Sequence, residues 1–322
     1  MVSSINRVFT ILLIIPYISI YSILFYFSLD SSPDGPQYIH MVSHPFVGRE
    51  ELGIHIYAYI LSFFIDDGMH RIIFIQISFF LLSIYTIIKV SKNVPYKIFF
   101  LLFAIITIFS NQFGIQIRIG MAMIVFIYIY FGLKKEPSMK NILYYSLPIL
   151  FHYGTLPAIG LLYLSRYMKI YSFRRLFLIF IIYSLIMLLF RNSEGIMTTI
   201  GLDPYYDDYL NPNHTLNSGR LVPFSLIAYI LIILFLCIKK KSYCNGYEYF
   251  YCFTGIMLIF SVIILDLYVF YKMLNVILFF SVFYIIRDIH IKNKNNVIIL
   301  SLIGYFMMYI GFIYYSTVTG II

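Results

Sequence analysis

Apolar runs close to the length that crosses a bilayer recur along almost the whole chain, and they leave few architectures open. They lie near 8–29, 72–90, 97–112, 115–133, 141–152, 153–165, 176–191, 222–238, 249–270, 272–286 and 297–315. A helix needs about 20 mostly apolar residues to cross the hydrocarbon, and inside it every backbone polar group must find its partner within the protein. Of the 322 residues, 61% are apolar and 11% charged, against about 45–50% and about 25% in soluble domains. The expectation is an all-α, polytopic integral membrane protein forming a single membrane domain over 1–322. It has about eleven transmembrane helices plus one short re-entrant or interfacial helix. Trp is absent, but 32 Tyr supply an interfacial belt. The first run follows Arg7, exceeds a signal-peptide core and lacks a small-residue cleavage pattern, so it is expected to stay as the first span.

Charge sets the orientation. The segment "LGIHIYAYILSFFI", 52–65, is too short for an ordinary crossing. If it does not cross and the N-terminus is cytoplasmic, most of the 23 cations fall in short cytoplasmic segments. These include Lys89, Lys92 and Lys97, then Lys134, Lys135 and Lys140, then Arg166 to Arg175, and Lys239 to Lys241. That distribution obeys the positive-inside rule; letting 52–65 cross would invert it. The net charge of +9 therefore reads as membrane orientation and not as nucleic-acid binding. Because the loops at 134–140 and 166–175 are both basic, the stretch between them must enter and return. It does so as two short helices interrupted at Pro148, Gly154 and Pro157, with His152 at the turning point. Two elaborated outer loops remain, about 30–71 and about 192–221, so the outer face is the expected working face.

The cations left outside are Arg49, Arg71, Arg118, Arg191, Arg220 and Lys272. Arg118 sits between two greasy runs in "NQFGIQIRIGMAMIVF", where a charge costs roughly 2.5–3.5 kcal/mol at mid-bilayer. A planar guanidinium suits bidentate recognition of phosphate. Arg118, with Arg220 and Lys272, could hold a lipid-linked phosphate or diphosphate at the outer boundary, although flanking cations also snorkel to headgroups. His152 can accept a proton from a sugar hydroxyl or donate one to a phosphate oxygen; the plain alternative is a histidine satisfied by a nearby carbonyl. His40, His44, His55 and His70 lack metal-ligand spacing and are expected to be solvated. "DPYYDDYL" sets carboxylates among Tyr205, Tyr206 and Tyr209, a mixture suited to carbohydrate or to packing on the membrane surface. Cys237, Cys244 and Cys252 show neither disulfide nor metal spacing. No glycine-rich phosphate loop, GxSxG, HExxH or CxxC occurs, and no cofactor or metal is expected.

With these residues in place, the chain resembles the EpsG-like branch of the Wzy-type O-antigen and exopolysaccharide polymerases along most of its length. An outer-loop Asp with a Tyr four positions on matches Asp34 and Tyr38. An acid followed by Gly and an aliphatic re-entrant segment matches Glu51, Gly53 and "IHIYAYILSFF". The family's Arg, with a small residue four positions later, matches Arg118 and Ala122, and its Phe-His pair matches Phe151 and His152. Departures are Ile119 where Gln often follows the Arg, with Gln116 lying two residues before it, and Lys272 where a late Arg is usual.

The resemblance implies a GT-C-like fold in the bacterial inner membrane with its active face periplasmic. It implies joining of undecaprenyl-diphosphate-linked oligosaccharides without nucleotide or metal, with membrane lipid, a chain-length regulator and a flippase as partners and no role for nucleic acid. Arg118, helped by Arg220, Lys272 and Gln116, would take the diphosphate, and Tyr38, Tyr205 and Tyr206 the glycan. The base is left open between His152, Glu51 and Asp34. A ligase placing finished glycan on a lipid core, and a flippase or transporter, are the rival readings.

Overall fold

The computed structural model describes residues 35–45, 52–90, 117–167, 178, 181, 182, 185, 246–264, 276–281, 283, 284 and 287. Among these there is no β-strand, as the apolar patterning requires. Seven α-helices are described: α1 Gly35–Ser43, α2 Leu52–Ser62, α3 Gly68–Val90, α4 Ile117–Ile127, α5 Ile142–Phe151, α6 Leu156–Tyr167 and α7 Tyr247–Ile264. The described residues fall into two compact units, one ending at Tyr153 and the other beginning at Gly154.

α3 is the described helix long and apolar enough to cross a membrane. Its 23 residues extend about 34 Å at about 1.5 Å per residue. Its buried stripe carries small polar groups, with Gln76, Ser83 and Thr86 among Ile72, Ile75, Phe79 and Ile87. Phe74, Ile77, Leu81, Tyr85 and Ile88 face outward. The apolar helices Leu52–Ser62 and Ile117–Gly132 are shorter. The runs expected at 8–29, 97–112, 222–238 and 297–315 lie outside the described residues, as do most of 176–191 and the loop 192–221.

The segment 52–65 folds as expected into one short helix, α2, of 11 residues, about 16 Å long. It buries Ile54, His55, Ala58 and Leu61 and leaves Leu52, Ile56, Tyr59 and Ile60 exposed. Tyr57 and Ser78 share a hydroxyl–hydroxyl hydrogen bond of 2.5 Å that ties α2 to α3. α1 was not anticipated within the loop expected over about 30–71. Its buried face is Tyr38, Met41 and Val42, spaced at one helical turn. Nine residues are too few for a helix to persist on its own, so α1 depends on what it packs against.

α3 and α4 run in the same direction. Lys89, near the end of α3, places its ammonium 4.8 Å from the centre of the Tyr128 ring and 5.6 Å from that of Tyr85. α4 here widens into a π-helical turn, Tyr128–Gly132. A Cβ on Gly132 would meet the Tyr128 ring at 2.7 Å and the Lys89 side chain at 3.5 Å, so glycine lets the two helix ends meet. Lys134, at φ 53°, takes the left-handed position that closes the helix; the Leu133 N–H donates to Tyr128 O and the Lys135 N–H to Ile129 O.

α5 returns along α4. The Tyr145 hydroxyl donates to Lys135 O, and its ring meets Phe126 edge-on at 5.9 Å. The turn between the two short helices falls at His152–Thr155, as expected for His152 and Gly154, but neither Pro148 nor Pro157 interrupts its helix. Pro148 lies inside α5, where a short helix tolerates the missing donor. Pro157 falls in the first turn of α6, where its absent N–H is no loss. His152 leaves α5 in extended conformation (φ −160°, ψ 116°) while its N–H still bonds Pro148 O at 3.0 Å.

In the second unit α6 packs on α7 through Ala158, Ile159 and Leu162. α7 meets the helical residues 276–281 so closely that a Cβ on Gly255 would collide with Ile277. Tyr251 meets Phe280 edge-on at 5.0 Å, and Cys252 is buried and free.

Candidate functional site

The site is built at the end of the first unit opposite Lys89 and Lys134. The contact of Phe126 with Tyr145 sets a common level for α4 and α5. From it Arg118 lies eight positions back along α4, and His152 lies seven positions on beyond α5. Because the two helices run in opposite directions, both residues stand about 11–12 Å toward the same end, at about 1.5 Å per residue. Two residues predicted from separate motifs are thus brought to one level of one unit.

Arg118 is half-buried, flanked by the buried Ile117 and Ile119. Its guanidinium carbon lies over the Tyr38 ring, 5.7 Å from the centroid, and Tyr38 is itself 5% exposed. A ring face engages the plane of a guanidinium. The fork of N–H donors along the edge is what recognises carboxylate or phosphate. The ring therefore holds the cation in a set direction, and α1 is the element that delivers the ring.

His152 is half-buried, and α2 sets its surroundings. A Cβ on Gly53 would lie 2.8 Å from Leu150 O and 3.1 Å from the Phe151 ring, so the start of α2 abuts the end of α5 immediately before His152. Only glycine permits that approach. The Gly53 and Phe151–His152 motifs, about a hundred positions apart in the chain, meet where Gly53 lies against the Leu150 carbonyl and the Phe151 ring.

One histidine departs from expectation, and one cation is spent on the backbone. His55 is 3% exposed on the inner face of α2 and is not a solvated loop histidine; the helix period that buries Ile54, Ala58 and Leu61 carries it inward. Arg71 is 8% exposed, and its guanidinium donates to three carbonyls. Nε reaches Ile65 O at 2.6 Å, Nη1 reaches Val42 O at 3.0 Å and Nη2 reaches Asp66 O at 3.0 Å. One side chain thereby joins α1 to the turn between α2 and α3. A cation near the start of a helix, just after two acids, was the available signal for a local tie. That its third carbonyl belongs to α1 could not be read from the chain.

His40, His44 and His70 are exposed, as expected. His40 and His44 stack at 4.9 Å. The Asp67 carboxylate Oδ2 accepts from the His70 N–H at 2.9 Å and contacts its Nδ1 at 2.7 Å. The backbone bond first, and the imidazole next, hold the Asp67 carboxyl below its ordinary range. Among the described residues no group of three His, Cys, Asp or Glu could hold a metal ion. Asp34, Glu51, Gln116, Tyr205, Tyr206, Arg220 and Lys272 lie outside the described residues.

No family model, curated protein or solved structure matches this chain.

Proposed function

We propose that the chain is a membrane-embedded polymerase. It joins polyprenyl-diphosphate-linked oligosaccharide units at the extracytoplasmic face of the bacterial inner membrane. The observation that carries this reading is the shared level of Arg118 and His152. They stand at the end of the first unit remote from Lys89 and Lys134, each held by a separate short helix from the segment 35–62.

The outward surface supports a lipid setting. α2 and α3 turn Leu52, Ile56, Tyr59 and Ile60, and Phe74, Ile77, Leu81, Tyr85 and Ile88, away from the packed interior. A continuous apolar face of this kind is rare on proteins dissolved in water. It is the ordinary outer surface of helices in a bilayer, whose inner faces carry the small and polar residues.

In the proposed reaction the bond between the anomeric carbon and the diphosphate oxygen of the donor breaks, and the electron pair leaves with the diphosphate. A hydroxyl oxygen of the acceptor sugar forms the new glycosidic bond and loses its proton. Arg118 stabilises the charge growing on the departing diphosphate; a donor of this sort is worth about 10²–10³ in rate. His152 takes the acceptor proton, and Glu51 and Asp34 are the other candidates for that role. The diphosphate is a good leaving group, so the work falls on charge stabilisation and on bringing two lipid-linked substrates together.

The test is replacement of Arg118 by Ala in a glycan-producing cell. The expected result is loss of long-chain ladders while single-unit products persist. Ladders of unchanged length and amount, at equal protein levels, would overturn the proposal.

A further inference from the structure

We infer that Arg71 is a positioning residue of this site: by clamping α1 to the turn between α2 and α3, it sets where Tyr38 stands over Arg118. The inference rests on the proposed function only for its catalytic consequence; the mechanical part stands apart from it.

The geometry runs from Arg71 to Tyr38 in two steps. Arg71 donates to Val42 O on α1 and to Ile65 O and Asp66 O on the turn. Its planar fork can reach three carbonyls at once, which an ammonium on a flexible stem cannot reproduce in one geometry. Val42 lies one helical turn from Tyr38 on the same buried face. A hold on the Val42 carbonyl therefore fixes the end of a nine-residue helix whose other turn carries the ring. The same junction is crowded from the other side. A Cβ on Gly68, the first residue of α3, would run into Ser43 at the end of α1. α1 thus has one seat, set by a charged clamp and a close glycine contact. Loss of either lets it shift and takes the ring from Arg118.

The experiment labels thiols in the purified, detergent-solubilised full chain. Cys237, Cys244 and Cys252 are replaced by Ala, Ser83→Cys on α3 reports general opening of the first unit, and Met41→Cys reports on α1. Both reporter positions are buried. With Arg71→Lys we expect maleimide labelling at position 41 to accelerate tenfold or more while labelling at 83 is unchanged, and Gly68→Ala to act in the same direction. Unchanged labelling at 41 in both variants would overturn the inference. So would an equal rise at 41 and 83, which would make Arg71 a general stabiliser. In cells, Arg71→Lys at matched protein level should shorten the glycan ladder. A ladder of normal length with a loosened α1 would overturn the link to Tyr38. If Arg118→Ala itself leaves the ladder intact, the polymerase reading fails, and the labelling comparison still decides the clamp.

Discussion

The Arg118 guanidinium carbon stands 5.7 Å from the centre of the Tyr38 ring, and neither residue's own helix could hold that contact alone. α4 supplies the cation and α1 supplies the ring. α1 in turn is tied down by Arg71 and crowded by Gly68. The candidate site is thus a consequence of how short helices from the segment 35–62 seat against the helices that follow.

The ring contact predicts a graded series. A cation–π contact contributes about 0.5–2 kcal/mol depending on desolvation, a factor of about 2–30. Tyr38→Phe keeps the ring and should leave elongation near the native rate, whereas Tyr38→Ala should lower it within that range. Elongation of a lipid-linked oligosaccharide by purified protein measures both. A loss for Phe equal to that for Ala would show that the hydroxyl, and not the ring face, matters.

Gly53→Ala places a methyl 2.8 Å from Leu150 O, on backbone that cannot rotate away. Overpacking of this kind costs typically about 1–3 kcal/mol, and here it pushes on the residues that precede His152. Melting temperature should fall, and the ladder should shorten beyond what reduced protein amount explains. Gly160, where an added Cβ would meet nothing within 4 Å, is the matched control: Gly160→Ala should do neither.

His152→Ala should reduce elongation by about 10²–10⁴ if the imidazole moves the acceptor proton, with little change in the protein's melting. If His152→Ala and wild type elongate equally, the base is Glu51 or Asp34.

The junction before α3 carries an acid-sensitive contribution. The Asp67 carboxyl is held below its ordinary value of 3.8 by the bonds from His70, so its folded-state pKa is depressed. Its contribution is therefore present above the ordinary carboxylate value and lost as pH falls through the lower folded value. Hydrogen exchange at the first turn of α3 should accelerate over that acidic window. Asp67→Asn keeps an acceptor and should abolish the pH dependence, while Asp67→Ala should fray the turn at every pH.

Lys134 occupies the left-handed region at φ 53°, which costs a side-chain-bearing residue roughly 1–2 kcal/mol. Lys134→Gly should raise the melting temperature by a few degrees without altering elongation, because this turn lies at the end of the unit away from Arg118. A fall in stability would mean that the Lys134 side chain contributes more than its backbone strain costs.

The helical class and the single short helix within 52–65 were legible from the chain, since both follow from hydrophobic length and period. The break at His152 was legible too, with Gly154 inside it. Pro148 and Pro157 were also read as interruptions, yet Pro148 is accommodated inside α5 and Pro157 in the first turn of α6. His55 was misjudged because it was grouped with the histidines of the surrounding loop, although 52–65 was itself read as a short helix. The period of that helix turns the imidazole inward with Ile54 and Ala58.

Composition and apolar run length by themselves determined that the described chain is helical, because helices alone satisfy their backbone locally in such greasy sequence. Local spacing also singled out Arg118 and His152. Tertiary structure decided that these two share a level, that Gly53 abuts Phe151, and that Arg71 ties α1 to the turn before α3. Those outcomes depend on contacts between segments tens of residues apart, and neither propensity nor period encodes which carbonyl a guanidinium will find across a helix junction.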